Sequence, residues 1–182
     1  MRHLAAVLLL VAATGCLAQS DAEFVRMYED AQRERPRTIA STARIAPKGE
    51  PGTPMIIHGR LLRADGRPAP NVIVFAYQTD VTGVYHRNGQ QGWRLKGWVR
   101  TDANGRFEFQ TIRPGSYPGT RNPAHVHLHA EGAKLQRRWL PELQFADDPL
   151  VHKGGAGVRP VVTRGGVQHV DLALTIREEG RF

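Results

Sequence analysis

The densest chemistry in this chain lies in Asn122-Pro123-Ala124-His125-Val126-His127-Leu128-His129. Residues two apart on a strand share a face, so His125 and His127 point the same way, about 6.6 Å apart along the strand at 3.3 Å per residue. That geometry suits two neighbouring ligands on one metal ion. It suits equally well one core histidine with exposed neighbours. His129 falls on the same face and could be a third ligand or a supporting group. Two further segments, TDVTGVY (79–85) and TIRPGSYP (111–118), each place a tyrosine just after a glycine-containing loop. A loop tyrosine taken alone is usually a packing residue. The only cysteine is Cys16, so the rest of the chain offers no thiolate site, and imidazole and phenolate are the available ligands. Phenolate is a hard anion, and Fe(III) would lower its pKa from about 10. Two phenolates and two neutral imidazoles would leave such an ion one positive charge, which a hydroxide would cancel.

These residues need a scaffold, and the pattern from Met55 onward is that of short strands punctuated by turns. Met55–Leu62, Asn71–Tyr77, Ala124–Ala130, Glu142–Phe145 and Val167–Ile176 read as strands. Trp98–Thr101 and Arg106–Thr111 read as a hairpin about the Asp102-Ala103-Asn104-Gly105 turn, with Phe107 and Phe109 on one face. Asp65-Gly66-Arg67-Pro68 is another turn. Ahead of these strands, Phe24, Val25, Met27 and Tyr28 have near-helical spacing between Asp21, a candidate N-cap, and Arg35, and Pro36 stops the helix. Residues 36–54 read as an extended linker. The fold class expected is all-β, a sandwich or barrel preceded by one short helix.

Composition narrows the function classes. The chain has 182 residues, 41% of them apolar, and a formal charge of +8. It carries no repeat and no long charged run, which excludes collagen-like, coiled-coil and multi-span membrane proteins. Its basic residues are scattered without aromatic interleaving, which argues against nucleic acid as a partner. Residues 1–18 read as an export signal: Arg2 and His3, an apolar run from Leu4 to Ala13 too short to span a bilayer, then small residues. Cleavage after Ala18 would release a soluble periplasmic or secreted protein, and cleavage before Cys16 would yield a lipoprotein. The expected organisation is a signal peptide (1–18), a helix and linker (19–54) and a β domain (55–182).

From Met55 to about Pro149 the chain resembles the intradiol ring-cleavage dioxygenases, above all the protocatechuate 3,4-dioxygenase type. The resembling stretches are GRLLRADGRPAPNVIVFAYQTDVTGVY, TDANGRFEFQTIRPGSYP, PAHVH and LQFADDP, in collinear order. The resemblance implies a β-sandwich holding non-haem Fe(III) between loops and strands of its core. It implies Tyr85, Tyr117, His125 and His127 as the ligands. Tyr117 is the ligand expected to dissociate and act as base when a catechol chelates the iron. The implied reaction is cleavage by O2 between the two hydroxylated ring carbons, giving a cis,cis-muconate. The implied partners are therefore a small catechol-type molecule and O2, and many relatives are homo-oligomers.

Three positions depart from the family pattern. Where the family commonly has an arginine three residues before the first histidine, this chain has Asn122, with Arg121 one residue earlier. That offset points a strand side chain to the other face. The family's glutamine near the end of the domain aligns with Glu142, whose charge is expected to repel a catecholate unless it is protonated or paired. The loop between Tyr117 and His125 is short, with Gly119 and no tryptophan, which implies a more open pocket. Tyr77 is expected as a pocket wall. Retained iron with a substrate other than simple protocatechuate is the expectation. The rival readings are a non-catalytic transthyretin-like or carboxypeptidase-regulatory-like binding module, and a secreted zinc or copper hydrolase built on His125, His127 and His129.

Overall fold

The computed structural model describes residues 14–86, 92–132 and 135–176, with only the backbone of residues 14–21. The expected signal peptide therefore falls largely outside the described residues. The elements are α1 (Thr14–Arg33), β1 (Thr42–Arg44), β2 (Pro54–Arg63), β3 (Ile73–Gln78), β4 (Leu95–Arg100), β5 (Arg106–Ile112), β6 (His125–Gly132), β7 (Leu135–Trp139), β8 (Leu143–Phe145), β9 (Val158–Arg159), β10 (Val162–Arg164) and β11 (Val167–Ile176). They form a β-sandwich. One sheet runs β1-β5-β2-β11-β10 and the other β4-β3-β6-β8-β9, with β7 also paired to β6.

The core lies between the sheets, where Ile57, Leu61, Phe107, Phe109 and Leu172 meet Val74, Val99, Val126, Leu128 and Phe145. Alternation explains most strands: β2 and β5 bury every second residue. β3 is buried at all six positions. Its inner residues Val74 and Ala76 join the core, while its outer residues Ile73, Phe75 and Tyr77 join a second cluster with Tyr28, Ala31, Trp93 and Trp98. Helix α1 lies over this outer face, with the Tyr28 ring edge-on to Phe75 at 5.8 Å.

Four sequence expectations are corrected. The helix begins at Thr14, so Asp21 is inside it and is not its N-cap. The supposed linker contributes β1, paired in parallel with β5, and places Ile45 and Ala46 in the core. The 98–111 hairpin is not a pair: β4 and β5 belong to opposite sheets. Its turn is a corner in which the Asp102 carboxylate accepts from the backbone N–H groups of Asn104 and Arg106, both at 2.8 Å. Gly105 there has φ +70°, and a Cβ would stand 2.3 Å from the Leu61 carbonyl oxygen. The core is also not where the chemistry sits. His125, His127 and His129 project from the outer face of the second sheet, since Val126 and Leu128 between them take the inner face.

Candidate metal centre

Strand β6 fixes the two histidines by its neighbours. His125 is in register with Gln144 of β8, and His127 with Tyr77 of β3. The His127 ring stacks on Tyr77 at 4.5 Å, and Tyr77 on Trp93 at 3.7 Å. This stack makes Tyr77 a wall of the site, as the sequence suggested, and gives Trp93 a part in it that its isolated position did not signal. The start of β6 is held by buried Asp148, whose carboxylate accepts from the Ala124 N–H at 2.9 Å.

The two tyrosine loops are fastened to one another. The Gly115 N–H donates to the Asp80 carbonyl at 2.8 Å, and the Thr79 hydroxyl donates to the Gly115 carbonyl at 2.8 Å. Asp80 also caps its own loop, accepting from the Thr82 N–H and hydroxyl at 2.8 and 2.6 Å. Gly83 has φ +82°, and a Cβ on it would lie 1.9 Å from the Ser116 carbonyl oxygen. A Cβ on Gly115 would lie 2.5 Å from the Val81 carbonyl oxygen. Such contact is open only to glycine, and it sets the spacing between Tyr85 and Tyr117. Arg94 holds the outer side: its N–H donates to the Tyr85 carbonyl at 3.0 Å, and its guanidinium grips Glu50 through two bonds of 2.6 and 2.7 Å.

The result is a convergence of four donor atoms. The Tyr85 and Tyr117 hydroxyls touch. Tyr117 Oη lies 3.0 Å from His125 Nε2 and 3.2 Å from His127 Nε2. The two Nε2 atoms are 3.0 Å apart, and Tyr85 Oη is 2.9 Å from His127 Nε2. The far nitrogen of each ring lies near an acceptor: His125 Nδ1 is 2.8 Å from the Pro123 carbonyl, and His127 Nδ1 makes a 3.0 Å ion-pair contact with Glu142 Oε1 that falls outside hydrogen-bond geometry. Those acceptors favour the proton on Nδ1, so both Nε2 lone pairs face the same point. Two such nitrogens cannot hydrogen-bond to one another, and a cation between them relieves the contact.

Burial keeps these groups neutral in the absence of an ion. Burial pushes the Tyr85 phenol far above its ordinary value, and burial likewise raises Tyr117. Neither would ionise at neutral pH without a positive charge beside it. Burial lowers His127 and thus favours its neutral, ligating form. The His127 ring holds the Glu142 carboxyl below its usual range.

Not every expected residue joins the cluster. Glu142 does, but on the far side of His127, where it orients the ring; the expected repulsion of a catecholate is met by this pairing. His125, His127 and Glu142 are the group of three His, Cys, Asp or Glu side chains, among the described residues, whose ligand atoms all lie within 4.8 Å of one another. His129 is not a ligand of it. It is packed between Tyr28, Phe75 and Trp139, its Nε2 has no partner among the described residues, and burial drives its pKa down to about 3. That removes the three-histidine hydrolase site. Arg121 and Asn122 are exposed on the loop after Tyr117, outside the cluster.

Comparison with known proteins follows the same line. The family model described as dioxygenase (Dioxygenase_C) matches residues 32–156. The protocatechuate 3,4-dioxygenase beta chain of Burkholderia cepacia is 34% identical over 116 residues, covering 57% of this chain and 49% of its own. The catechol 1,2-dioxygenase of Acinetobacter baylyi is 28% identical over 142 residues, covering 66% and 45%. The chain thus spans about half the length of the curated relatives it matches. Among solved structures, the dioxygenase domain of a carbohydrate-binding fusion from Streptomyces sp. SirexAA-E superposes with TM-score 0.64 at 22% identity, over 78% of this chain and 91% of that one. The intradiol ring-cleavage dioxygenase of Tetranychus urticae gives 0.62 at 16% identity, over 81% and 91%. These two likenesses concern the fold alone, and a simple binding module is not favoured. With a family match over more than half its length, this chain belongs to the intradiol dioxygenase family.

Proposed function

We propose that this protein is a non-haem Fe(III) intradiol dioxygenase that cleaves a catechol-type ring with O2 to a cis,cis-muconate-type product. The observation that carries the proposal is the meeting of Tyr85 Oη, Tyr117 Oη, His125 Nε2 and His127 Nε2, each within 3.2 Å of at least two of the others, with both Nδ1 atoms near acceptors. Two hard phenolates and two imidazoles suit Fe(III). Bound there, the ion would supply Lewis acidity to a chelated catecholate and open its ring to O2.

The chain's residues divide the remaining work. His127, clamped between the Tyr77 face and Glu142, and His125, tied to Pro123, would be fixed ligands. Tyr85 sits in the loop locked by Asp80 and Arg94, so it too would stay. Tyr117 is the more mobile phenol by position, because the loop that follows it, Pro118 to Asn122, is exposed throughout. Its oxygen is the one proposed to leave and accept a catechol proton. The same open loop leaves room for substrates larger than a simple catechol, and Arg121 on it would draw an anionic ring toward the site. Export is proposed as well, with Cys16 free for lipid attachment if cleavage precedes it.

The test is a visible absorption spectrum of the iron-loaded protein, before and after anaerobic addition of catechol. Tyrosinate on Fe(III) should give a broad charge-transfer band that shifts with catechol, and Tyr85→Phe should weaken it. A colourless iron-loaded protein would remove both tyrosines from the ligand set and the proposal with them.

A further inference from the structure

The outer face of the first sheet carries a second group of histidines and carboxylates, on the opposite side of the sandwich from the metal centre. Strand register places it there. Glu108 of β5 pairs with His58 of β2, and His58 pairs with Asp171 of β11, so the three stand in a row across adjacent strands on one face. His169 lies two residues before Asp171 and therefore on the same face. His58 Nε2 and His169 Nδ1 face one another at 3.1 Å. On its other side, His58 Nδ1 is 3.5 Å from Glu108 Oε2. Two surface cavities of about 570 and 500 Å³ meet at His58 and Asp171, so the pair is open to solvent.

We infer that His58 Nε2 and His169 Nδ1 form a binding site for a borderline divalent cation such as Zn2+ or Cu2+. The two nitrogens share an N–H···N hydrogen bond at 3.1 Å, and the same spacing lets both bind one ion at about 2.0–2.1 Å each once that proton is displaced. Glu108, which also accepts from Gln110 Nε2, stands 3.5 Å from His58 Nδ1, a looser contact than that of Glu142 with His127, and its charge favours a proton on that far nitrogen. Imidazole ligands with carboxylates nearby select this class of ion over Mg2+ or Ca2+. Water completes the coordination; Asp171 and Arg164 border one cavity, and Glu108 borders the other with Asp102, Arg60 and Arg106. The ion would tie β11 to β2. Since the chain has one cysteine, such a tie would do for the C-terminal strand what a disulfide cannot.

The inference does not depend on the identity of the main centre, and its test is a difference between proteins that share that centre. Zinc is titrated by equilibrium dialysis into the full chain and into His169→Ala and His58→Ala, with circular dichroism confirming equal folding. His58 has a side chain 41% exposed, so its removal leaves the core intact. The wild type should bind one more equivalent of zinc than either variant, and the double variant should lose no more than the singles. Glu108→Gln should keep the stoichiometry and weaken this equivalent about 10-fold. Zinc should also raise the Tm of the wild type more than that of His169→Ala. Equal stoichiometry in wild type and His169→Ala would overturn the inference, as would loss of the equivalent in only one single variant.

Discussion

Glu142 shows how one side chain acquires a role from its surroundings. Facing a catecholate it would be a liability; 3.0 Å from His127 Nδ1 it becomes the group that aims the ring. Orienting carboxylates of this kind typically contribute 10–100-fold in metal affinity. Glu142→Gln should therefore lower iron affinity by about 10-fold or more, measured by competition with a chelator, while the overall fold and Tm hold. Unchanged affinity would assign the orientation of His127 to its stack on Tyr77 alone. Asn122 is the complementary case. It is exposed on the loop after Tyr117 and is uncharged, at the position where the family resemblance implies an arginine. Asn122→Arg should raise turnover of small catechols severalfold in an oxygen-uptake assay. No change would mean that Arg121 or the iron already serves the charge.

Among the elements, the two tyrosine loops act as one unit because glycine lets their backbones touch. Gly83→Ala puts a Cβ 1.9 Å from the Ser116 carbonyl oxygen at a φ of +82°. It should cost roughly 1–3 kcal/mol. Because the loops must part, it should also lower iron content, read by metal analysis beside a Tm measurement. Retained iron with lowered Tm would show that the ligands adjust independently of the loop contact. Helix α1 presents the other element-scale question. Tyr28 is 6% exposed and joins Phe75 and His129, and the Arg137 guanidinium lies 4.2 Å over its ring. Tyr28→Ala should destabilise by about 3 kcal/mol. Denaturant unfolding that shows no loss would mean the helix is not energetically coupled to the sheet beneath it.

At the scale of the whole molecule, one core joins two sheets, and the chain passes between them after β2, β4, β5 and β9. Phe109 is fully buried where β5 faces the second sheet. Phe109→Ala should cost about 3–5 kcal/mol. The loss should appear as one shifted transition rather than two, since strand β3 belongs to both the inter-sheet core and the α1 cluster. A biphasic melt would separate the α1 cluster from the inter-sheet core. The two histidine groups then lie on opposite outer faces of this single core, so changes at His58 or His169 should leave the Tyr85–Tyr117 centre undisturbed.

The sequence by itself determined the strand-forming runs, the shared face of His125 and His127, and the two tyrosine loops, because period-two alternation and turn residues are local properties. Val167–Ile176 is a strand over the range read from the sequence. Short edge strands escaped it: β1, β9 and β10 have two or three residues each, too few to show a period, and they exist only because a neighbour offers free backbone groups. The 98–111 segment looked like a hairpin because a turn says that the chain reverses, not which sheet receives it. The tertiary structure alone decided that His129 packs among aromatic rings while His127 meets the two tyrosine hydroxyls, since both share a face and only the neighbours differ. It alone turned Glu142 from a repelling charge into a support. It alone brought His58 to His169, which are 111 residues apart, because parallel pairing of β2 with β11 is a long-range choice that no local pattern encodes.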